Sequence, residues 1–116
     1  VYHANYLALA ERARTESMVD AGLPHARLIG EHDCQFMVRR AKLEYFRPAR
    51  LDDILTITTR ALSETAATLT LDQAFSVAGA DAEMPIASLV VELVCVRCAT
   101  GRPTRIPPPW RGFAHP

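Results

Sequence analysis

His3 is the first residue of this chain whose type and place could do chemistry, because it stands where the sequence VYHANYLALAERARTE turns helical. Peptide N–H groups in the first turn of a helix have no intrahelical acceptor, so such an end can bind a developing negative charge on oxygen. An imidazole beside it is biased toward its neutral form and can hydrogen-bond a carbonyl or a water. Spacing alone favours a histidine that only anchors the loop entering the helix. A second set, Arg39, Arg40, Lys42, Arg47 and Arg50, carries the donors that match phosphate oxygens, or else forms a solvated strand face. Cys95 and Cys98 make a C-x-x-C, but strand residues three apart point to opposite faces, so the pair is read as packing and no metal site is expected. There is no Gly-rich phosphate loop, serine nucleophile elbow or His-x-x-x-His pair, and no cofactor is implied.

The element that must position His3 is a helix expected over residues 6–21. Tyr6, Ala10, Ala13, Ser17 and Ala21 recur at steps of three and four, flanked by Leu7 and Leu9, with Glu11, Arg12, Thr15 and Glu16 opposite. This inward stripe is small, which suits a helix laid close against a curved sheet. Asn5 reads as its N-cap, Arg12 and Glu16 as an outer-face pair, Glu11 as a surface partner of Arg14, and Gly22 with Pro24 as its stop. Residues 23–32 read as a connector with room for one helical turn near 26–29.

Four strands follow. Over residues 34–46 the apolar parity changes near Arg39 and Arg40, which predicts a strand with a bulge or one that crosses from one neighbour to another, and Pro48 ends the run. A polar corner at 51–53 leads to a Thr-rich strand at 54–62. Residues 63–65 then turn the chain into a strand at 67–77, where Ala67, Leu69, Leu71, Phe75 and Val77 alternate against a polar face. After a turn at 79–81, residues 86–98 are apolar on both parities in the middle, as a central strand should be. Residues 101–116 hold five of the eight prolines and read as an extended tail. One helix followed by four strands on short turns argues for an α+β domain with an antiparallel sheet folded about the helix, and pattern alone equally permits a helix resting on an open sheet.

A chain of 116 residues with 49% hydrophobic content suits one domain over residues 1–116. Thirteen basic and thirteen acidic side chains cancel, so no general attraction to nucleic acid is expected and any phosphate recognition is local. Three cysteines without disulfide-like spacing fit a reducing, cytoplasmic setting. No apolar run approaches the ~20 residues of a membrane span, so membrane insertion is not expected.

VYHANYL with ERARTE resembles the helix entry of the 4-hydroxybenzoyl-CoA thioesterase family, which includes the acyl-CoA thioesterases associated with the Tol-Pal system. The likeness continues through LEYFRPARLDDIL at 43–55, VVELVCV at 90–96 and TGRPTRIP at 100–107. It implies the hot-dog fold, a sheet wrapped around one long central helix, and homodimers that join sheets edge to edge, often as homotetramers. It also implies hydrolysis of short-chain or aromatic acyl-CoA at a subunit interface. By the same resemblance the backbone N–H of Tyr2 faces the thioester oxygen and His3 sits beside it; separately, on residue type alone, Arg39, Arg47 and Arg50 are taken from the basic set as candidates for the CoA phosphates. The family's catalytic Asp and first strand would precede Val1, and Glu11, on the solvent side, is a poor substitute. Arg97 departs from the Asp common after the CV pair, and no function attaches to it. Two other readings stay open on the residues: a silent hot-dog module that holds acyl-CoA or an acyl carrier protein, and, more weakly, a dehydratase of the same fold, whose His-based motif is not seen.

Overall fold

Period-two patterning produces four strands, β1 (Cys34–Tyr45), β2 (Leu55–Glu64), β3 (Thr68–Val77) and β4 (Ala87–Arg97), in one antiparallel sheet ordered β1-β4-β3-β2. The helix α1 (His3–Asp20) precedes them, followed by a shorter helix α2 (His25–His32), and a 3-10 turn at Pro108–Trp110 comes last. This computed structural model describes residues 3–48, 54–77 and 85–112. Tyr2, Arg50, the corner expected at 51–53 and the turn expected at 79–81 lie outside the described residues, as do the side chains of His3 and Asn5.

The sheet curls about α1 because cross-strand rows of side chains keep step with the helix. Ile57, Phe75, Ala87 and Tyr45 stand side by side across the sheet, and Tyr6 packs on this row, its ring edge-on to Phe75 at 4.9 Å and to Tyr45 at 5.2 Å. The next row, Thr59, Gln73, Leu89 and Leu43, lies under Ala10. Four helical residues rise ~6 Å and two strand residues ~6.7 Å, so each i+4 position of α1 meets a new row. Tyr6, Ala10, Arg14 and Met18 are therefore the stripe turned to the sheet, and Ser17 and Ala21, expected inside, are exposed. A row of i+4 positions winds slowly round a helix, as following a twisted sheet requires. The small residues also do not draw the helix closer: Ser17 and Ala21 face Thr59 and Ala61 across open space.

The expected bulge is present. Register in β1 shifts between Val38 and Arg40, so Phe36 and Val38 on one side of it and Ala41 and Leu43 on the other all point toward α1. A second shift, between Ala61 and Ser63 in β2, left no mark in the apolar parity. Strand β4 is central, flanked by β1 and β3, and buried from Leu93 through Val96. The connector from β2 to β3 closes through Thr65, whose hydroxyl accepts from the Thr68 N–H at 3.0 Å and whose own N–H donates to the Thr68 carbonyl at 2.9 Å.

Four expectations need correction. Asn5 lies inside α1 rather than capping it, since the helix begins at His3. The connector forms α2, which buries Leu28 and ends at Asp33 in the left-handed conformation, φ 53°. Arg12 and Glu16 form none of the ion pairs of the described residues. The proline-rich end is not a free tail: the Thr104 N–H donates to the Cys95 carbonyl and the Ile106 N–H to the Ala66 carbonyl, both at 2.8 Å. Ile106 and Trp110 then bury themselves with Leu28, Cys34 and Cys95 in a second core, and the Trp110 indole N–H donates to the Leu23 carbonyl at 3.2 Å. Burying an indole outweighs the extended preference of the prolines around it.

Candidate functional site

The first turn of α1 carries no acidic side chain, so its free N–H groups and the positive end of its dipole are not neutralised from within the helix. His3 is its first residue. Tyr6, one turn on, ties this end to the sheet, and burial together with Tyr45 pushes its phenol above the ordinary range. Leu7, Tyr45 and Phe46 are each exposed although large and apolar, and Tyr45 stands beside Tyr6 at this end.

Of the cations expected to bind phosphate, those among the described residues, Arg39, Arg40, Lys42 and Arg47, are spread along β1 and just past it. Arg47 follows β1 directly, its N–H reaching the Ile86 carbonyl at 3.3 Å, which sets it two residues from Tyr45 and hence near the amino end of α1. Arg39 sits at the bulge, six residues before Tyr45, or ~20 Å along an extended strand, and its Nε donates to Glu92. Arg40 and Lys42 stand in register with Glu92 and Val90 on the face turned from α1, and Lys42 approaches Glu44 at 3.4 Å.

The C-x-x-C is divided as its spacing requires. Cys95 is buried and Cys98 exposed, all three cysteines are free, and no metal-holding cluster occurs among the described residues. Cys95 instead neighbours Cys34 in the second core. Burial, and next the contact with Cys34, push its thiol up to about 12.

Two interior residues escaped the sequence reading. Gln73 is fully buried, and its amide donates to the Ala10 carbonyl of α1 at 2.9 Å and to the Thr59 hydroxyl at 3.3 Å. Its amide oxygen accepts from Arg14 at 2.7 Å. Arg14 is thus turned into the domain instead of pairing with Glu11, and burial lowers its pKa, partly offset by Glu11. A polar residue at the inward parity of an apolar strand was the available signal for this network. Beyond it, toward the carboxyl end of α1, lies a cavity of about 260 Å³ between Arg14, Met18, Phe36, Leu69, Leu93 and Trp110. From His3 to Arg14 the helix rises ~16 Å, so this cavity is well separated from the amino end.

The sheet closed about α1 is shared with proteins of known structure. A probable thioesterase from Bartonella henselae is 31% identical, with a TM-score of 0.78 over 92% of this chain and 85% of that one. A 1,4-dihydroxy-2-naphthoyl-CoA thioesterase from Synechocystis, at 20% identity, shares the fold with a TM-score of 0.84 over 98% of this chain and 82% of that one. The acyl-CoA thioester hydrolase YbgC of Escherichia coli O6:H1 is 42% identical over 73 residues, 63% of this chain and 54% of the relative, so the chain spans about half the length of that curated relative. The thioesterase-like superfamily matches residues 1–112, nearly the whole sequence. With that match and the hot-dog arrangement of sheet and helix, the chain belongs to the thioesterase-like superfamily.

Proposed function

We propose that the protein is an acyl-CoA thioesterase that cleaves short-chain or aromatic acyl-CoA to the free acid and CoA at the amino end of α1. The observation that carries this reading is the superfamily match together with a helix start that has no acidic residue to neutralise it. As the thioester carbonyl becomes tetrahedral its oxygen gains charge, and free main-chain N–H groups there stabilise that charge most in the transition state. The Tyr2 N–H supplies the principal donor, and neutral His3 hydrogen-bonds the carbonyl or the attacking water. The carboxylate expected ahead of Val1 attacks the carbonyl or activates the water. The acyl group lies against Leu7, Tyr45 and Phe46, which are exposed at this end.

Of the three arginines assigned to the CoA phosphates, Arg47 has the support of position, since it follows the strand that contacts Tyr6. Arg50, outside the described residues, remains the second candidate on its place in the sequence alone. Arg39, engaged by Glu92 and far along β1, reaches phosphate only on a neighbouring subunit's substrate. This fits a homodimer joined through a free sheet edge, and β1 is such an edge, with Met37 and Val38 exposed on it. Two such dimers give the homotetramer. Three free thiols suit a cytoplasmic enzyme, and an acyl carrier protein is a second acceptable thioester donor.

The test is release of free CoA thiol from a panel of short-chain and aromatic acyl-CoAs by the full-length gene product, with light scattering for mass. Turnover that falls about a hundredfold in His3→Ala, the loss of a positioned hydrogen-bond donor, is expected. Tight binding of a non-hydrolysable acyl-CoA analogue with no turnover of any thioester would remove the hydrolase reading and leave a carrier module.

A further inference from the structure

We propose that the cavity at the carboxyl half of α1 is a binding site for a small amphipathic monocarboxylate, with the carboxylate on Arg14 and the apolar body against Met18, Phe36, Leu69, Leu93 and Trp110. This site is separate from the hydrolytic one and does not depend on it.

The cavity combines one cation with walls that are otherwise almost wholly apolar, Ser17 and Thr59 being the hydroxyl-bearing exceptions. A guanidinium presents five N–H donors, and among the described residues Arg14 makes a single hydrogen bond, to Gln73. No carboxylate forms an ion pair with Arg14 among the described residues. Its lowered pKa reflects burial, which the more distant charge of Glu11 offsets only in part. Gln73 fixes the guanidinium from one side, and Gln73 is itself held by Ala10 and Thr59, so the fork is already oriented.

Charge and size choose the ligand class. One cation balances one negative charge, whereas a phosphate dianion would be left half-neutralised beside Met18 and Leu93. An apolar cavity of ~150 Å³ holds benzene, so about 260 Å³ holds roughly ten non-hydrogen atoms. A fatty acid of about eight carbons or a simple aryl carboxylate has that size. The space exists because Ser17 and Ala21 on α1 and Thr59 and Ala61 on β2 are all small where they face one another.

Trp110 is the single tryptophan of the chain and lines the cavity, so its fluorescence reads occupancy directly. Octanoate titrated into the full-length gene product should give a saturable change with a Kd in or below the millimolar range. Octanol, of equal length but uncharged, should bind about tenfold more weakly, the effect of losing one charge-assisted contact. Arg14→Met should lose octanoate by a similar factor while binding octanol as well as before, and Ser17→Leu, which fills the cavity, should weaken both. Equal affinity for octanol and octanoate in the unaltered chain, or no response to octanoate, overturns the proposal. That comparison needs no variant, so it decides the matter even if Arg14→Met proves unfolded by circular dichroism.

Discussion

Replacing Gln73 by Leu tests whether the buried amide is what fastens the helix to the sheet. Leucine is close in volume, so no large cavity is made, but all three hydrogen bonds vanish. The bond to the Ala10 carbonyl is a neutral one between buried groups and contributes ~1 kcal/mol net, and the carbonyl keeps its helical partner. The bond from Arg14 involves a charge, and since Arg14 is only half-buried the lower end of the charged range applies, ~1.5 kcal/mol. Thr59, near the sheet edge, finds water instead. Burial of the leucine recovers part of the loss, leaving ~2 kcal/mol and a drop in Tm of roughly 10 °C for a domain of this size. Arg14→Met on the Gln73→Leu background removes the unpaired cation, so the double variant should regain part of that stability, a coupling of ~1 to 2 kcal/mol in a denaturant cycle. Gln73→Leu within ~0.5 kcal/mol of the parent, or strictly additive variants, would show that the network seen between α1 and β3 carries no stability.

The packed carboxyl end makes a second prediction: Trp110→Ala should cost ~3 to 5 kcal/mol, and Trp110→Phe markedly less, by chemical denaturation; a loss below ~1 kcal/mol for the alanine would mean the segment is a loose tail after all. Among the thiols, Cys98 should be alkylated quickly and Cys34 and Cys95 only as the domain opens, so mass spectrometry showing even labelling of native protein contradicts the burial described. Because the folded thiol of Cys95 titrates near 12 rather than 9.0, the unfolded chain loses that proton first; its contribution is intact below pH ~9 and declines, by up to ~1.4 kcal/mol per unit, toward pH ~12. Cys95→Ala should flatten that alkaline decline relative to the parent, and identical slopes would refute the assignment. Asp33→Gly should keep or slightly raise the Tm, because glycine accepts φ 53° without strain, whereas Asp33→Val should lower it; the reverse order would exclude the left-handed cap.

Residue order alone determined the long helix, the four strands and the superfamily, because these are written in local pattern. Alternation marked the strands, the parity change at Arg39 marked the bulge, and VYHANYL with ERARTE carried the likeness that the 1–112 match confirms. Tertiary structure decided which face of the helix is inside and what becomes of its ends. The wheel favoured Ser17 and Ala21 over Arg14 and Met18, since hydropathy gives no reason to bury a guanidinium. Only β3, arriving some sixty residues later with Gln73 at the right row, supplies a partner that makes it tolerable. The proline-rich end likewise looks extended in isolation, and Trp110 becomes core because α2 and β4 leave a place for it. Such contacts join residues distant in sequence, and no local period encodes them.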